Sequence, residues 1–500
     1  MPRTGPLKQD ARKQSGLVTA PAAGELASLL GRRTKIIATL GPASESASVS
    51  RRLIAAGMDV ARLNFSHGTH AEHGRTITML RALAREAGVP LAILQDLQGP
   101  KIRVGALAGP VRLQEDAVVT LAAGRTAGAA GRIPIPYPGL TRMVRRGARI
   151  MLRDGNIELA VVEIRGGEIL CRVVRGGVLR AHQGVNLPGV RLRVPSLTNK
   201  DIVDLRFGLR RGVDYVALSF VRSADDLRRA RRVLRRLGRA VPIVAKLEKA
   251  EAIANLESII AEADAVMVAR GDLGVELPPE HVPLIQKRII RLANGRGIPV
   301  ITATQMLESM VRQERPTRAE TSDVANAILD GTDAVMLSEE TAVGRFPVET
   351  VRMMDRIARA VEAGAEFARD RRGQERADFP HAIAAAARAL AADPRMTLAV
   401  ALTATGRTAR LLSQLRPRAP VLACTEDERV ARLLSLYWGV RPLVTSLRGG
   451  GETAVGALDR ELVRRGLARP GDAIVIIASA PEIARGRTTF IQLHRVGLGA

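Results

Sequence analysis

The chain has 500 residues and contains no run of about 18 uncharged apolar residues, the length that a membrane-spanning helix needs. One ordinary core is too small for this length, so roughly two to four domains are expected. The formal net charge of +26 points first to nucleic-acid binding, but aromatic residues make up only 2% and the arginines follow helical patterns. We therefore interpret the charge as solvated basic helix faces and expect no nucleic-acid or membrane partner.

Residues 1–31 form the first segment of distinct character. Basic residues there are mixed with Gly and Pro, and the apolar stretch of a secretory signal is missing. This composition predicts a disordered tail. The two cysteines, Cys171 and Cys424, are far apart and lack metal-ligand spacing, which is typical of a reducing, cytoplasmic compartment.

Eight short apolar runs follow, each ending in polar or charged residues. They are Lys35–Leu40, Val60–Asn64, Leu91–Asp96, Tyr215–Phe220, Ile243–Glu248, Ala265–Asp272, Val300–Gln305 and Ala334–Glu340. Such runs are typical of parallel strands buried on both faces. With helical patterns between them, they predict an α/β fold, a (β/α)8 TIM barrel over residues 32–101 and 189–366. The polar ends would meet at one mouth, where such barrels carry their active sites.

The third and fourth runs are separated by a segment far longer than one barrel helix. Residues 102–188 are rich in Gly and contain short alternating segments such as Ile157–Ile164 and Ile169–Val174. This pattern predicts a small β-barrel domain inserted after the third strand. We expect it to close over the mouth as a lid.

A further unit is expected over residues 378–500. An Ala-rich helical pattern at His381–Ala392 opens it, and apolar runs follow at Leu398–Leu402, Val421–Cys424, Pro442–Val444, Ile474–Ile477 and Phe490–His494. The alternation of helices and strands predicts an open α/β domain. The chain has no Walker A motif and no GxGxxG that opens a helix.

Three charged residues stand at the ends of neighbouring barrel strands. Lys246 and Glu248 are two residues apart on one strand, so their side chains face the same way. Asp272 follows the next run. Two carboxylates from adjacent strands are a typical Mg²⁺ site, and a nearby lysine is suited to charge that develops in phosphoryl transfer. The spacing alone fits a structural ion network across the mouth equally well.

Longer motifs decide between these alternatives. Segments Arg33–Ser44, Val60–Gly68, Ala303–Met310 and Arg315–Glu320 resemble signature motifs of the pyruvate kinases, and Asp323–Asp330 and Met336–Thr341 continue the match. The resemblance implies a cytoplasmic homotetramer of three-domain chains. It implies that the phosphoryl group of phosphoenolpyruvate is transferred to ADP, giving pyruvate and ATP.

The resemblance also assigns roles at the reacting centre. It implies that Glu248 and Asp272 bind Mg²⁺ or Mn²⁺ and that Lys246 neutralises charge on the phosphoryl group and the enolate oxygen. The substrate carboxylate is expected to bind the backbone N–H groups of Gly271 and Asp272 together with Thr304.

Further roles follow from the same motifs. The residues that contact phosphate or nucleotide are expected to be Arg62, Asn64, His67 and Arg103. Ser338 and Glu340 are expected to belong, with Thr304, to the network that delivers a proton to the methylene carbon.

The sequence departs from the family at two places. Gln183 stands where a lysine of the lid usually contacts the nucleotide, which puts that contact in doubt. Leu97, Gln98 and Lys101 stand where K⁺-requiring members carry Thr, Lys and Glu. The ligands of a monovalent-cation pocket are expected at Asn64, Ser66, Asp96 and Leu97. Because an ammonium can replace such a cation, Lys101 is expected to make the enzyme independent of K⁺; the alternative is that it points to solvent at the lid hinge.

A loop in the last unit has the features of an anion site. Hydroxyls, a glycine and an arginine lie at a predicted helix N-terminus, at Thr403, Thr405, Gly406, Arg407 and Thr408. The loop resembles the family's effector loop, which implies activation by a sugar phosphate or AMP; an ordinary capped helix is the alternative. The segment Arg485–Thr489 matches the second half of that pocket only loosely.

One enzyme class competes with this interpretation. Another metal-dependent barrel enzyme acting on phosphoenolpyruvate or pyruvate, such as an aldolase or a mutase, would use similar strand ends. It would not need the inserted domain or the last unit.

Overall fold

The computed structural model describes residues 31–127, 131–137, 139–190, 194–364, 379–446, 451–478 and 490–497. Apart from Gly31, the tail predicted at residues 1–31 lies outside the described residues, and so does Arg485–Thr489. No helix in the described part of the chain is both long enough and apolar enough to cross a membrane.

The elements are numbered along the chain. The first ones are β1 (Lys35–Leu40), α1 (Ala47–Ala55), β2 (Val60–Asn64), α2 (His70–Glu86) and β3 (Ala92–Asp96). The inserted segment contains β4 (Ile102–Arg103), β5 (Val111–Leu113), β6 (Val118–Ala123), β7 (Arg132–Ile135), α3 (Leu140–Met143), β8 (Arg149–Leu152), β9 (Ile157–Arg165), β10 (Glu168–Arg175), β11 (Gly177–Leu179) and β12 (Gly184–Asn186).

The barrel resumes after this insertion. Its elements are α4 (Asn199–Arg211), β13 (Tyr215–Leu218), α5 (Ala224–Arg236), β14 (Ile243–Leu247), α6 (Ala250–Ala254), α7 (Leu256–Glu262), β15 (Ala265–Ala269), α8 (Arg270–Glu276), α9 (Val282–Arg296), β16 (Val300–Ala303), α10 (Arg318–Asp330), β17 (Ala334–Leu337), α11 (Glu339–Ala342) and α12 (Pro347–Ala363). Short 3₁₀ turns lie at Pro279–His281 and Glu308–Val311.

The last unit completes the order. Its elements are α13 (Phe379–Leu390), β18 (Met396–Leu402), α14 (Arg407–Gln414), β19 (Val421–Thr425), α15 (Glu428–Leu434), β20 (Val440–Val444), α16 (Gly451–Arg464), β21 (Ala473–Ala478) and β22 (Phe490–Arg495).

The eight predicted runs form a closed parallel barrel in the order β1-β17-β16-β15-β14-β13-β3-β2. Closure comes from pairing of the first and last strands, with Lys35 opposite Ala334 and Ala38 opposite Leu337. Residues on both faces of these strands are buried because one face fills the barrel and the other packs under the helices. The (β/α)8 prediction is confirmed.

Several barrel helices begin with a capping box, in which a side chain at the first position and an acidic side chain three residues on satisfy free backbone N–H groups. These pairs are Thr69 with Glu72, Thr198 with Asp201, Ser223 with Asp226 and Thr317 with Glu320. They start the helices close to the barrel mouth, so the loops that carry the site are short and firmly placed.

The inserted segment forms a sheet in the order β4-β12-β8-β9-β10-β6-β7, with β11 and β5 paired separately. Its alternating apolar residues build a core of their own, which includes Ile133, Ile157 and Cys171. The chain enters this sheet through β4 and leaves through β12, which pair with each other. These two strands therefore form the hinge between the inserted sheet and the barrel.

The last unit is an open sheet in the order β20-β19-β18-β21-β22, antiparallel only at β22. It packs against the N-terminal ends of barrel strands. Lys35 Nζ donates to the carbonyl of Val440 at 2.6 Å, and Arg416 forms a 2.7 Å ion pair with Asp333. Since strand N-termini lie opposite the mouth, this unit sits at the far end of the barrel from the site.

Candidate active site

A lysine lies at the centre of the mouth. Lys246 Nζ is 2.9 Å from Glu248 Oε1 and 3.1 Å from Asp96 Oδ1, and it donates to Ser219 Oγ at 2.8 Å. Burial acts to lower the pKa of Lys246, but the charges of Asp96 and Glu248 outweigh it and raise that pKa. Lys246 is therefore a permanent cation held at the ends of β3 and β14.

Asp96 pairs with a second cation on its other oxygen. The guanidinium of Arg62 donates from Nε to Asp96 Oδ2 at 2.8 Å and from Nη1 to Thr39 Oγ1 at 2.9 Å. Burial acts to raise the pKa of Asp96, yet Lys246 and Arg62 lower it below the ordinary value. Asp96 thus stays ionised and holds both cations toward the mouth.

Glu248 is the buried carboxylate of this group. Its Oε2 accepts a 2.8 Å hydrogen bond from the backbone N–H of Phe220, a residue with φ of +54° just past β13. Burial raises the pKa of Glu248, and the negative charge of Asp272 adds to that effect although Lys246 opposes it. Glu248 and Asp272 are therefore close enough to repel each other.

Asp272 belongs to the short helix α8, beside the turn that follows β16. Thr304 in this turn has a φ of +68°, a left-handed backbone that costs a β-branched residue on the order of 1–3 kcal/mol. Arg270 holds the turn, since it donates to the Thr304 carbonyl at 2.8 Å and to Asp323 at 2.8 Å. The N–H of Gly271 donates to Thr304 Oγ1 at 2.8 Å, so the predicted carboxylate-binding groups do lie together.

A cleft of 1400 Å³ opens above these groups. Its walls include Lys101, Asp154, Gly271, Asp272, Thr304 and Glu340. The cleft is bounded by barrel strand ends on one side and by the inserted sheet on the other, the place where the sequence predicts a lid.

Ser338 and Glu340 lie at the end of β17. Glu340 accepts hydrogen bonds from the N–H groups of Ser338 at 2.6 Å and Leu307 at 3.2 Å. Burial raises the pKa of Glu340. Within the described residues, the buried Oγ of Ser338 has no hydrogen-bond partner, so it is available to water or substrate.

The residues predicted for the monovalent-cation pocket are adjacent, but Lys101 points elsewhere. Asn64 Oδ1 accepts from the N–H of Ser66 at 3.1 Å, and the carbonyl of Leu97 accepts from Ser219 at 2.6 Å. Lys101 Nζ lies 3.7 Å from Asp272 Oδ1 and 3.6 Å from Asp154 Oδ1 of the inserted sheet. Its charge is thus at the rim of the cleft.

The predicted nucleotide residues His67 and Arg103 lie within electrostatic reach of each other and of Lys101. Burial lowers the pKa of His67, helped by the positive charges of Arg103, Lys101 and Arg62, and this favours the neutral imidazole. Arg103 donates to the carbonyl of His182 at 3.0 Å. The Gln183 side chain accepts from the N–H of Arg180 at 3.0 Å and so closes a turn of the inserted domain.

The predicted effector loop precedes α14. Gly406, with φ of +81°, donates its N–H to Thr403 Oγ1 at 2.9 Å. Thr405 and Arg407 are exposed, whereas Thr408 is buried. A Cβ on Gly406 would lie 3.3 Å from Leu434, so the tight turn needs glycine for both φ and space.

Sequence reasoning assigned no role to three residues that shape the site. Ser219 bonds Lys246, Arg270 holds the Thr304 turn, and Asp154 pairs with Lys101. Ser219 and Arg270 stand at strand ends, which is a signal that could have found them. Asp154 lies within the inserted domain, and no local pattern marks it.

The described residues contain no group of three or more His, Cys, Asp and Glu that could hold a metal. A divalent ion would instead rely on Glu248 and Asp272, with the remaining positions left to substrate and water. The mutual repulsion of these carboxylates fits that donor set, because a cation between them would relieve it.

Two family models match the chain, described as pyruvate kinase, barrel domain, over residues 31–351 and pyruvate kinase, alpha/beta domain, over residues 381–494. The chain belongs to the pyruvate kinase family. It is therefore an enzyme, a phosphotransferase, and the aldolase and mutase interpretation is excluded.

Named relatives cover nearly the whole chain. Pyruvate kinase 2 of Synechocystis sp. is 47% identical over 473 residues, 93% of this chain and 80% of the relative. The pyruvate kinase of Geobacillus stearothermophilus is 45% identical over 475 residues, with the same coverage. That of Mycobacterium intracellulare is 44% identical over 476 residues, 94% of this chain and 99% of the relative.

Proposed function

We propose that this pyruvate kinase transfers the phosphoryl group of phosphoenolpyruvate to ADP at the mouth of the barrel. The observation that carries the proposal is the placement of Lys246 between two buried carboxylates at the strand ends, within electrostatic reach of Asp272 in the wall of a cleft that the inserted domain borders. Phosphoryl transfer is catalysed mainly by positioning and by electrostatic stabilisation of charged oxygens. A cation held in place by two carboxylates supplies both.

Lys246 and Arg62 are the groups proposed to hold the phosphoryl oxygens. Asp96 binds both of them from below, so their positions are set before substrate arrives and little reorganisation accompanies the reaction. Lys246 would also stabilise the enolate oxygen that forms when the phosphorus–oxygen bond of phosphoenolpyruvate breaks. The terminal phosphate oxygen of ADP forms the new bond to phosphorus.

Glu248 and Asp272 are proposed to hold Mg²⁺ or Mn²⁺, which when bound screens the charge of the phosphoryl and enolate oxygens. The N–H groups of Gly271 and Asp272, with Thr304, would orient the substrate carboxylate. The N–H of Gly271 lies 2.8 Å from Thr304 Oγ1, and this closeness supports a shared binding site for the carboxylate.

Proton delivery is proposed for the opposite wall. The buried hydroxyl of Ser338 has no hydrogen-bond partner among the residues that the structure describes, and Glu340 is buried beside it. A water held by Ser338 and Thr304 can donate to the methylene carbon of the enolate, while Glu340 fixes the backbone of Ser338 through its 2.6 Å hydrogen bond. The nucleotide would lie along Asn64, His67 and Arg103.

Lys101 is proposed to make the activity independent of K⁺. Two observations support this proposal. The ammonium of Lys101 lies at the cleft near Asp272, and its charge contributes to lowering the pKa of His67. Lys101 thus replaces the cation from the rim rather than from among the oxygens of Asn64, Ser66 and Asp96.

The proposal also covers the regulation and the assembly of the enzyme. The loop Thr403–Thr408 would bind a sugar phosphate or AMP, because its exposed threonine and arginine surround a helix N-terminus. The functional domains are proposed to be residues 32–101 with 189–366, residues 102–188 and residues 378–500, assembled as a cytoplasmic homotetramer.

The test is pyruvate formation followed by lactate dehydrogenase and NADH. Turnover is expected only when phosphoenolpyruvate, ADP and a divalent cation are all present. Pyruvate release at the same rate without ADP would contradict phosphoryl transfer to the nucleotide and indicate hydrolysis instead.

A further inference from the structure

A buried ion pair lies directly behind the proposed metal carboxylates. Lys249 Nζ donates to Glu276 Oε1 at 2.5 Å, and the exposed fractions of the two side chains are 7% and 2%. Lys249 follows Glu248 in the chain, and Glu276 ends α8, the helix that carries Asp272. The pair therefore ties together the two segments that supply the carboxylates.

The same pair contacts the hinge of the inserted domain. Asn186, the last residue of β12, lies beside Lys249. A cavity of 10 Å³ between barrel and hinge is lined by Lys101, Asn186, Phe220 and Lys249. We call Lys249, Glu276 and Asn186 the hinge cluster.

Phe220 adds a link to Glu248. Lys249 Nζ lies 5.7 Å from the centroid of the Phe220 ring, and the backbone N–H of Phe220 donates to Glu248. The ammonium of Lys249 is thus held between an aromatic face and a carboxylate. Displacing it would release contacts on both the Glu248 side and the Asp272 side.

Burying the Lys249 ammonium and the Glu276 carboxylate costs free energy unless the two charges are paired. Desolvation raises the pKa of Glu276, while Lys249 and Asn186 act to lower it. A buried ion pair stabilises a fold little compared with apolar residues of the same volume. What it adds here is direction, since the bond from Lys249 to Glu276 joins the segment after β14 to the end of α8.

We propose that the hinge cluster positions the two metal carboxylates, with Lys249 and Glu276 setting the separation of Glu248 from Asp272 and Asn186 coupling that separation to the inserted domain. This inference rests on the proposed metal role of Glu248 and Asp272. Lys249 and Glu276 are positioning residues, because neither is proposed to touch metal or substrate.

The test is a Mn²⁺ titration of the full-length protein, followed by the electron paramagnetic resonance signal of free Mn²⁺, which needs no turnover. Residues that orient metal ligands typically change metal affinity by about 10–100-fold. Lys249→Met is expected to raise the dissociation constant about tenfold and to keep kcat at saturating Mn²⁺ within about twofold. Lys249→Arg is expected to restore much of the affinity.

Two further variants separate positioning from stability. Arg416→Met breaks an equally buried ion pair, with Asp333, at the far end of the barrel, and should leave Mn²⁺ affinity unchanged. Lys249→Met with Glu276→Gln removes the unpaired charge, so it should recover the unfolding temperature while the affinity stays about tenfold weaker. If Lys249→Met does not fold, the Mn²⁺ affinity of the double variant tests the positioning role instead.

The outcomes distinguish a failure of the positioning role from a failure of the proposed metal site. Wild-type affinity in the double variant, or the same loss of affinity in Arg416→Met, would overturn the positioning role. Glu248→Gln is the reference, and it must abolish tight Mn²⁺ binding. If Glu248→Gln binds Mn²⁺ as the unmodified protein does, the proposed metal site itself fails, whatever Lys249→Met shows.

Discussion

Replacing Lys246 by Met removes the cation from the centre of the site. Lys246 Nζ lies 2.9 Å from Glu248 and 3.1 Å from Asp96, and each contact is worth about 5.5 kcal/mol of Coulomb attraction at an effective dielectric of 20. Desolvation offsets most of this in the ground state. A preorganised charge stabilises the charge that develops in the transition state by about 3–4 kcal/mol. Loss of the Lys246 ammonium should therefore lower kcat about 100- to 1000-fold.

The same variant should lose stability in a pH-dependent way. Asp96 has a lowered pKa in the folded protein, so its contribution is present above the unfolded pKa of about 3.9 and is lost as pH falls through the folded value. Without Lys246 the folded pKa of Asp96 rises toward the unfolded one. The acid unfolding midpoint of Lys246→Met should therefore move to higher pH.

The assay combines two measurements. The lactate dehydrogenase-coupled rate gives kcat, and NMR in D₂O gives the exchange of the methyl protons of bound pyruvate, which should survive because protonation uses Thr304, Ser338 and Glu340. Lys35→Met is the control, since Lys35 is a buried lysine at the opposite end of the barrel. An unchanged kcat in Lys246→Met, or an equal loss in Lys35→Met, would refute the reasoning.

Three other predictions concern the rims and the far domain. In K⁺-free tetramethylammonium buffer the enzyme should run at nearly its full rate, and Lys101→Glu should become K⁺-responsive; strong K⁺ activation of the unmodified enzyme would contradict this. The double variant Thr405→Ala, Arg407→Ala should keep kcat and lose activation by phosphate esters. If no phosphate ester shifts the phosphoenolpyruvate curve of the unmodified enzyme, the loop is structural and the effector prediction is wrong. Because burial raises the pKa of Glu340, the acid limb of kcat should lie above the ordinary glutamate pKa of about 4.3, and Glu340→Gln should remove that limb.

The strands were largely predictable from the sequence. Runs with apolar residues on both faces gave all eight barrel strands, because parallel strands between a barrel interior and a helix layer leave little room for polar residues. The ends of the elements were predicted less accurately. The helix expected at His381–Ala392 is Phe379–Leu390, and the strand expected at Pro442–Val444 begins at Val440. Element ends depend on individual hydrogen bonds, which periodicity does not encode.

Side-chain partners were predictable only where the backbone dictates them. Lys246 and Glu248 meet because residues two apart on a strand share a face. Lys101 was expected toward the oxygens of the second and third strands, but its long stem reaches Asp272. Pairs such as Lys249 and Glu276 join segments that no local pattern relates, so only the folded structure brings them to light.

The central claim is that Glu248 serves phosphoryl transfer through a divalent cation. The most direct test is the coupled assay on Glu248→Gln across a range of Mg²⁺, beside its thermal unfolding curve. The account predicts a folded protein with no measurable ADP-dependent pyruvate formation at any Mg²⁺ concentration. Near-normal turnover of Glu248→Gln at limiting Mg²⁺ would contradict it.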